Sequence, residues 1–174
     1  NEQFEINIKH INKKIFFMSK NYINIYNNLV NFSRNKKLFK TFTKKDIFSD
    51  RLFIFMLHFG FFLRNFKENE NQQKIQSIYD YVFKQLELSI REIGYGDMSI
   101  NKKMKTYIST FHYLLKKIDL WDKLNDNKKD ELLRDLFNYN GNINDLTKYF
   151  EKYRLFLLKS SLNLFTKGVI KPDF

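Results

Sequence analysis

The chain has 174 residues, 43% hydrophobic and 18% aromatic, enough to bury the core of one domain without disulfides or a structural metal. Five Gly and one Pro are too few for the frequent turns of an all-β fold or for Gly-rich nucleotide loops, and the absence of Cys excludes a disulfide scaffold, a thiolate zinc site, an iron–sulfur protein and a Cys nucleophile. Thirty-one Lys and Arg against 19 Asp and Glu leave a formal charge of +12, which draws the chain toward polyanions, anionic membrane surfaces or acidic partners.

Part of that charge reflects composition alone, since the chain is rich in Asn, Lys, Ile, Phe and Tyr and has no Ala. Residues 1–21 read as an N-terminal arm or first helix. Phe4, Ile6 and Ile8 alternate there, no apolar stretch leads to a small-residue cleavage site, and Glu2 and Glu5 are acids that transit peptides avoid. Residues 22–165 read as one helical domain and 166–174 as a C-terminal tail. The stripe Tyr22, Ile25, Tyr26, Leu29, Phe32 has helical spacing and predicts an amphipathic helix.

Arg51 to Lys67, RLFIFMLHFGFFLRNFK, is apolar all round and predicts the central helix of a bundle, with Leu52, Phe55, Met56, Phe59 and Leu63 buried. The competing reading makes it a surface for an apolar client or a membrane, with Phe53, Leu57 and Phe61 exposed. Within it, His58 reads as a hydrogen-bonded core histidine. Residues 67–74 form a polar connector. Two further stripes follow, Ile75, Ile78, Val82, Leu86, Ile90, Ile93 and then Met104, Ile108, Phe111, Leu115, Ile118. After a second connector, 119–129, Leu132, Leu133, Leu136 and Phe137 predict a short helix stopped by Asn140 and Gly141. Leu146, Tyr149, Phe150, Tyr153 and Leu157 open a last long helix fading near Gly168 and Pro172. The whole predicts an all-α, single-domain bundle of about six to seven helices around a central apolar helix. No segment reaches the roughly 18 apolar residues of a spanning helix, which predicts a soluble or peripheral protein.

The least ordinary chemistry lies at Arg91-Glu92-Ile93-Gly94-Tyr95-Gly96-Asp97-Met98 and the Lys102, Lys103 and Lys105 that follow. As plain structure, Gly94 is a left-handed C-cap, Gly96 allows the turn, and Asp97 or Ser99 caps the next helix. As a site, three lysines placed in the first turns against the helix dipole make a positive spot for an acidic loop, a lipid headgroup or a phosphate. No catalytic set accompanies it. His10, His58 and His112 are scattered, HExxH and GxSxG are absent, and GxGxxG is not met at Gly94 to Ser99. The carboxylates Asp80, Glu87, Glu92 and Asp97 could suggest acid–base work, but Asp80 with Lys84 and Glu87 with Arg91 read as i,i+4 ion pairs.

The order of these motifs resembles the ubiquinol-cytochrome c chaperone family from Tyr22 to Leu158. The similarity starts at Tyr26 to Arg34 and passes Phe39, Asp46 and Arg51. It continues through Arg51-Leu52-Phe53, Leu57-His58 and Leu63-Arg64, is most specific at Arg91 to Met98 with the lysines after it, and ends on Arg134-Asp135-Leu136-Phe137-Asn138. Two departures stand out: His112, Tyr113, Leu114 and Leu115 follow Phe111 where the family often has Tyr-Gly-Arg, and Gln85 stands where an Asp is typical.

The resemblance implies a non-enzymatic assembly chaperone that needs no cofactor and binds newly made cytochrome b. It further implies a small helical co-chaperone and the ribosome as partners. The place of action would be the cytoplasmic side of a bacterial inner membrane or the matrix face of the mitochondrial one, with peripheral contact to anionic lipid. Arg91, Glu92, Gly94, Tyr95, Gly96, Asp97, Lys102, Lys103 and Lys105 are then the partner-binding residues. The competing classes are a basic helical nucleic-acid or ribosome-binding protein, which would align its lysines in a stripe with exposed aromatics, and an enzyme, which would need a polar pocket of converging ionisable groups.

Overall fold

The computed structural model describes residues 21–38 and 48–174, together with Lys13. The N-terminal alternation at Phe4, Ile6 and Ile8, and the family positions Phe39 and Asp46, lie outside the described residues. Helix α1 covers 21–33, followed by a helical turn at 36–38. Then come α2 (Phe48–Phe66), α3 (Gln72–Glu92), α4 (Asp97–Ile118), a 3-10 turn (Trp121–Lys123), α5 (Asp126–Phe137), α6 (Asn144–Leu158) and α7 (Leu162–Lys167). Among the described residues there is no strand, and the all-α expectation holds.

Helix α2 is the axis of the bundle. Leu52, Phe55, Met56, Phe59 and Leu63 are buried, and so are Leu57 and Phe61, which removes the reading of this helix as an exposed surface. The rings on its several faces find partners on as many elements. Phe55 meets Tyr26 of α1 edge-on at 5.6 Å, Phe59 stacks on Phe111 of α4 at 5.3 Å, and Phe61 stacks on Phe150 of α6 at 5.5 Å. Phe62 meets Phe165 of α7 at 4.9 Å, and Phe53 packs on Phe137 at the end of α5, 4.7 Å away. Such a helix needs no polar face because water reaches none of it but the ends. Glycine at position 60 lets α4 close in: a Cβ there would lie 2.8 Å from Ile118 Cδ1 and 2.9 Å from Leu114 Cδ2.

His58 is the polar group at the centre of this core. Ile54 O can only accept, so Nδ1–H donates to it at 2.7 Å, and Nε2 accepts the Tyr149 hydroxyl proton at 2.7 Å. Tyr153 Oη donates to the His58 carbonyl at 2.9 Å. Burial pushes the imidazole pKa down from 6.5 to about 3, against the pull of the Ile54 carbonyl, so the ring is neutral and both nitrogens are satisfied.

Several boundaries differ from the sequence expectation, each for a tertiary or capping reason. The 119–129 connector is not open chain. Trp121 is fully buried, and its indole N–H donates to Glu151 Oε2 at 2.8 Å. Burial alone would raise the Glu151 carboxyl, but hydrogen bonds from Arg154, Trp121 and Lys129 outweigh it and hold the pKa down at about 2. Helix α5 starts at Asp126, capped by the Asn125 side chain on Lys128 N–H. It stops at Asn138 rather than at Asn140 and Gly141, because Asn138 takes the left-handed conformation with φ 48°, which Asn tolerates. The last long stripe is two helices, α6 and α7, broken at 159–161. Residues 166–174 lie against α1 and α6. The Asn28 amide donates to Gly168 O at 2.8 Å and its Oδ1 accepts Ile170 N–H at 2.9 Å, while Phe174 sits 5.1 Å from Phe156 and 5.5 Å from Phe32.

Candidate functional site

Helices α3 and α4 form an antiparallel hairpin whose connection carries the residues singled out in the sequence. Asn71 caps α3, its Oδ1 accepting Gln73 N–H at 2.7 Å. The buried stripe of the helix is Ile78, Val82, Phe83, Leu86 and Ile90. Ile93, expected on that stripe, lies beyond the last buried turn and is 57% exposed. Gly94 takes φ +102°, the left-handed conformation expected of the residue that ends a helix, and a side chain there would be strained.

Neither of the expected caps is used at the start of α4. Gly96 is the N-cap with no side-chain hydrogen bond, and Asp97 is the first helical residue, its carboxylate turned back onto Arg91. Arg91 bridges the connection by also holding Glu87 at 2.9 Å, and its hydrogen bonds, with that from Lys84, keep the Glu87 carboxyl below the usual range. Glu87 with Arg91 is thus the pair the spacing predicts. Asp80 with Lys84 is not: Lys84 reaches Glu87 at 3.2 Å, and Asp80 accepts from Gln76 at 2.9 Å.

The lysines need a second correction. With α4 beginning at Asp97, Lys102, Lys103 and Lys105 lie beyond its first turn, where the dipole has faded. They do not oppose it, and it does not focus them. Lys103 Nζ sits 4.5 Å over the Tyr95 ring, a cation–π contact worth about 0.5–1 kcal/mol at an exposed site. Lys102 and Lys105 are exposed, and Lys105 borders a shallow groove between α3 and α4 that includes Asp80, Phe83, Glu87 and Met104.

What the sequence reading missed is the apolar half of this site. Met98 is 89% exposed, and Leu88 and Tyr95 are about 40% exposed. Residues 92–99 are all exposed, and among the described residues no neighbour lies within 4 Å of a Cβ placed on Gly94 or Gly96, so the turn projects from the bundle. The available signal was the placing of Ile93 and Met98 next to two glycines, past the last residue that a helical stripe can turn inward. Of the predicted site residues, Glu92, Gly94, Tyr95, Gly96, Asp97, Lys102 and Lys105 are exposed, and Arg91 and Lys103 are partly covered.

A polar cavity beside α2 brings together Arg64, Lys67, Asp119, Asp122 and Arg154, but Arg64 and Arg154 pair with Asp122 and Lys67 with Asp119. His58 is enclosed in the core, while His112 accepts or donates a 3.1 Å bond with Tyr79 at the surface. Among the described residues no cluster of His, Asp and Glu is arranged to hold a metal ion, and no helix is long and apolar enough to cross a membrane.

The fold is an all-helical bundle, and its unusual feature among the described residues is an exposed apolar and basic turn. The chain belongs to the ubiquinol-cytochrome c chaperone family, whose model matches residues 40–153, more than half its length. Membership makes it a chaperone in the assembly of the ubiquinol-cytochrome c reductase complex, with a client protein in that complex. Comparison with curated proteins and with solved structures finds no match to the chain.

Proposed function

We propose that the chain is a non-enzymatic assembly chaperone that binds newly made cytochrome b and contacts it through the turn between α3 and α4. The observation that carries the choice of surface is the exposure of Ile93, Tyr95 and Met98 beside Lys102, Lys103 and Lys105, in the element where the family resemblance is most specific. Apolar side chains at the centre of a contact supply most of its energy, while surrounding charges select the partner and speed encounter. The same proposal puts the chaperone on the cytoplasmic side of a bacterial inner membrane or the matrix face of the mitochondrial one. A small helical co-chaperone and the ribosome are the further partners that the resemblance implies.

The test is capture from native membranes solubilised in mild detergent. The wild-type chain should retain cytochrome b, and Lys102→Glu/Lys103→Glu/Lys105→Glu should retain several-fold less. Its melting temperature should barely change, because among the described residues the local contact given up is the Tyr95 cation–π pair, about 0.5–1 kcal/mol. Raising salt should weaken wild-type capture in the same direction, since exposed charges are screened over about 8 Å at physiological ionic strength. A folded triple variant that captures cytochrome b at the wild-type level would show that these lysines are only a solvated face.

A further inference from the structure

We propose that Asn140 is a site of spontaneous covalent modification: the backbone nitrogen of Gly141 attacks its side-chain amide, and the residue converts to aspartate and isoaspartate. This is independent of the client reading and of the turn between α3 and α4. The first ground is sequence. Asn140-Gly141 is the one Asn-Gly step in the chain, and glycine, lacking a Cβ, leaves the path from its nitrogen to the preceding side chain open. The second ground is the state of the two reacting groups. Both lie in the loop between α5 and α6, with Asn140 exposed and Gly141 half-buried. Among the described residues neither the Asn140 amide nor the Gly141 N–H makes a hydrogen bond, so neither has to be released before it reacts.

Other asparagines are not set up this way. Asn138 precedes Tyr139, whose N–H is held by the Arg134 carbonyl at 3.0 Å. Asn142 commits its Oδ1 to Asn144 N–H at 3.0 Å and precedes Ile143, which is buried and branched at Cβ. Asn24 and Asn28 lie within α1, where the following N–H bonds a carbonyl one turn back, and their amides are bound to the Thr166 and Gly168 carbonyls. Glycine is also hard to exchange at 141, since a Cβ there would overlap the Tyr139 ring. Arg134 Nε donates to the Gly141 carbonyl at 3.3 Å, which puts a cation near the nitrogen that gives up its proton. That nitrogen loses its proton to water and bonds to Asn140 Cγ. The Cγ–Nδ2 bond breaks, and the side-chain nitrogen leaves as ammonia with a proton from solvent, closing a succinimide ring. Water then opens the ring at either carbonyl, giving aspartate or, with the backbone routed through Cβ, isoaspartate. Either product adds a negative charge close to Arg134.

The experiment incubates the full chain, native and unfolded in urea, at a series of pH values above neutrality and follows the tryptic peptide 135–148 by mass spectrometry. That peptide also carries Asn138, Asn142 and Asn144, so fragmentation assigns the converted residue directly. Conversion is expected at Asn140 first, accelerating with pH, and the native chain should react within a few-fold of the unfolded one. Isoaspartate should be the major product, detected by labelling with protein isoaspartate methyltransferase and S-adenosylmethionine. Asn140→Gln, whose longer side chain closes a ring far more slowly, should remove that label from the peptide and leave the melting temperature unchanged, as the residue is exposed. The proposal is overturned if Asn140 stays intact in the native chain while the unfolded chain converts, or if another asparagine of the loop converts first. It is equally overturned if Asn140→Gln keeps the label, or if aspartate forms at 140 without isoaspartate, which would mean direct hydrolysis rather than attack by Gly141.

Discussion

Acidification from pH 6.5 toward pH 5 should destabilise the protein ever more steeply, with a slope approaching about 1.4 kcal/mol per pH unit near pH 5, that of one proton taken up on unfolding. The source is His58. Its pKa is ordinarily 6.5 and is pushed down to about 3 in the fold, first by burial and despite the Ile54 carbonyl. In the unfolded chain the ring binds a proton below pH 6.5, while in the folded chain it stays neutral until about pH 3. Stability from this group is therefore complete above pH 6.5 and is lost as pH falls through the window between those values, up to about 5 kcal/mol in total. Carboxylates held low, such as Glu87 and Glu151, add their own loss only below about pH 4.5, so the upper half of the window belongs to the histidine. Urea unfolding at a series of pH values measures the slope. His58→Gln should remove most of it while costing about 1–3 kcal/mol at pH 8, because one terminal amide cannot both donate to the Ile54 carbonyl and accept from the Tyr149 hydroxyl as the ring does. A wild-type stability that is flat between pH 6.5 and 5 would refute the neutral-core assignment.

Phe59→Ala should cost about 3–5 kcal/mol, combining lost transfer energy with the cavity left behind. Phe59 is fully buried, and it touches both arms of the hairpin. It stacks on Phe111 of α4 at 5.3 Å and lies 6.1 Å from Phe83 and 6.5 Å from Tyr79 of α3. The urea midpoint should fall with an unchanged slope. Because Phe59 is where α2 grips α3 and α4 together, the same variant should loosen the hairpin that presents the tip. Faster amide exchange in α3 and α4 than in α5 would report that loosening.

How much of this was legible in the sequence depends on whether a residue's fate is set locally. The Arg51 to Lys67 segment could be read as the core helix because it offers water no face at all, and Gly94 as a helix stop because few other residues take its φ. The capping of α4 was not legible: Asp97 and Ser99 are both good N-caps, and only the fold shows Asp97 committed to Arg91. That single shift in the helix start moved the lysines beyond the first turn and removed the dipole argument built on them. Ile93 obeys the helical spacing, but the spacing cannot say where the partner helices end. Trp121 and the segment after α7 looked like connector and tail because Glu151 and Asn28, which hold them, are 30 and about 140 residues away along the chain. The projecting apolar tip is legible only by subtraction, once the stripe is known to end at Ile90.

Site-specific photo-crosslinking tests the central claim most directly. A photoreactive residue placed at Lys102, beside the tip, and a control at Lys128, exposed on α5, would be activated in cells during assembly of the ubiquinol-cytochrome c reductase complex. A cytochrome b adduct formed from position 102 and not from 128 is the predicted result. Adducts to cytochrome b from 128 alone, or to other subunits of the complex alone from 102, would contradict it.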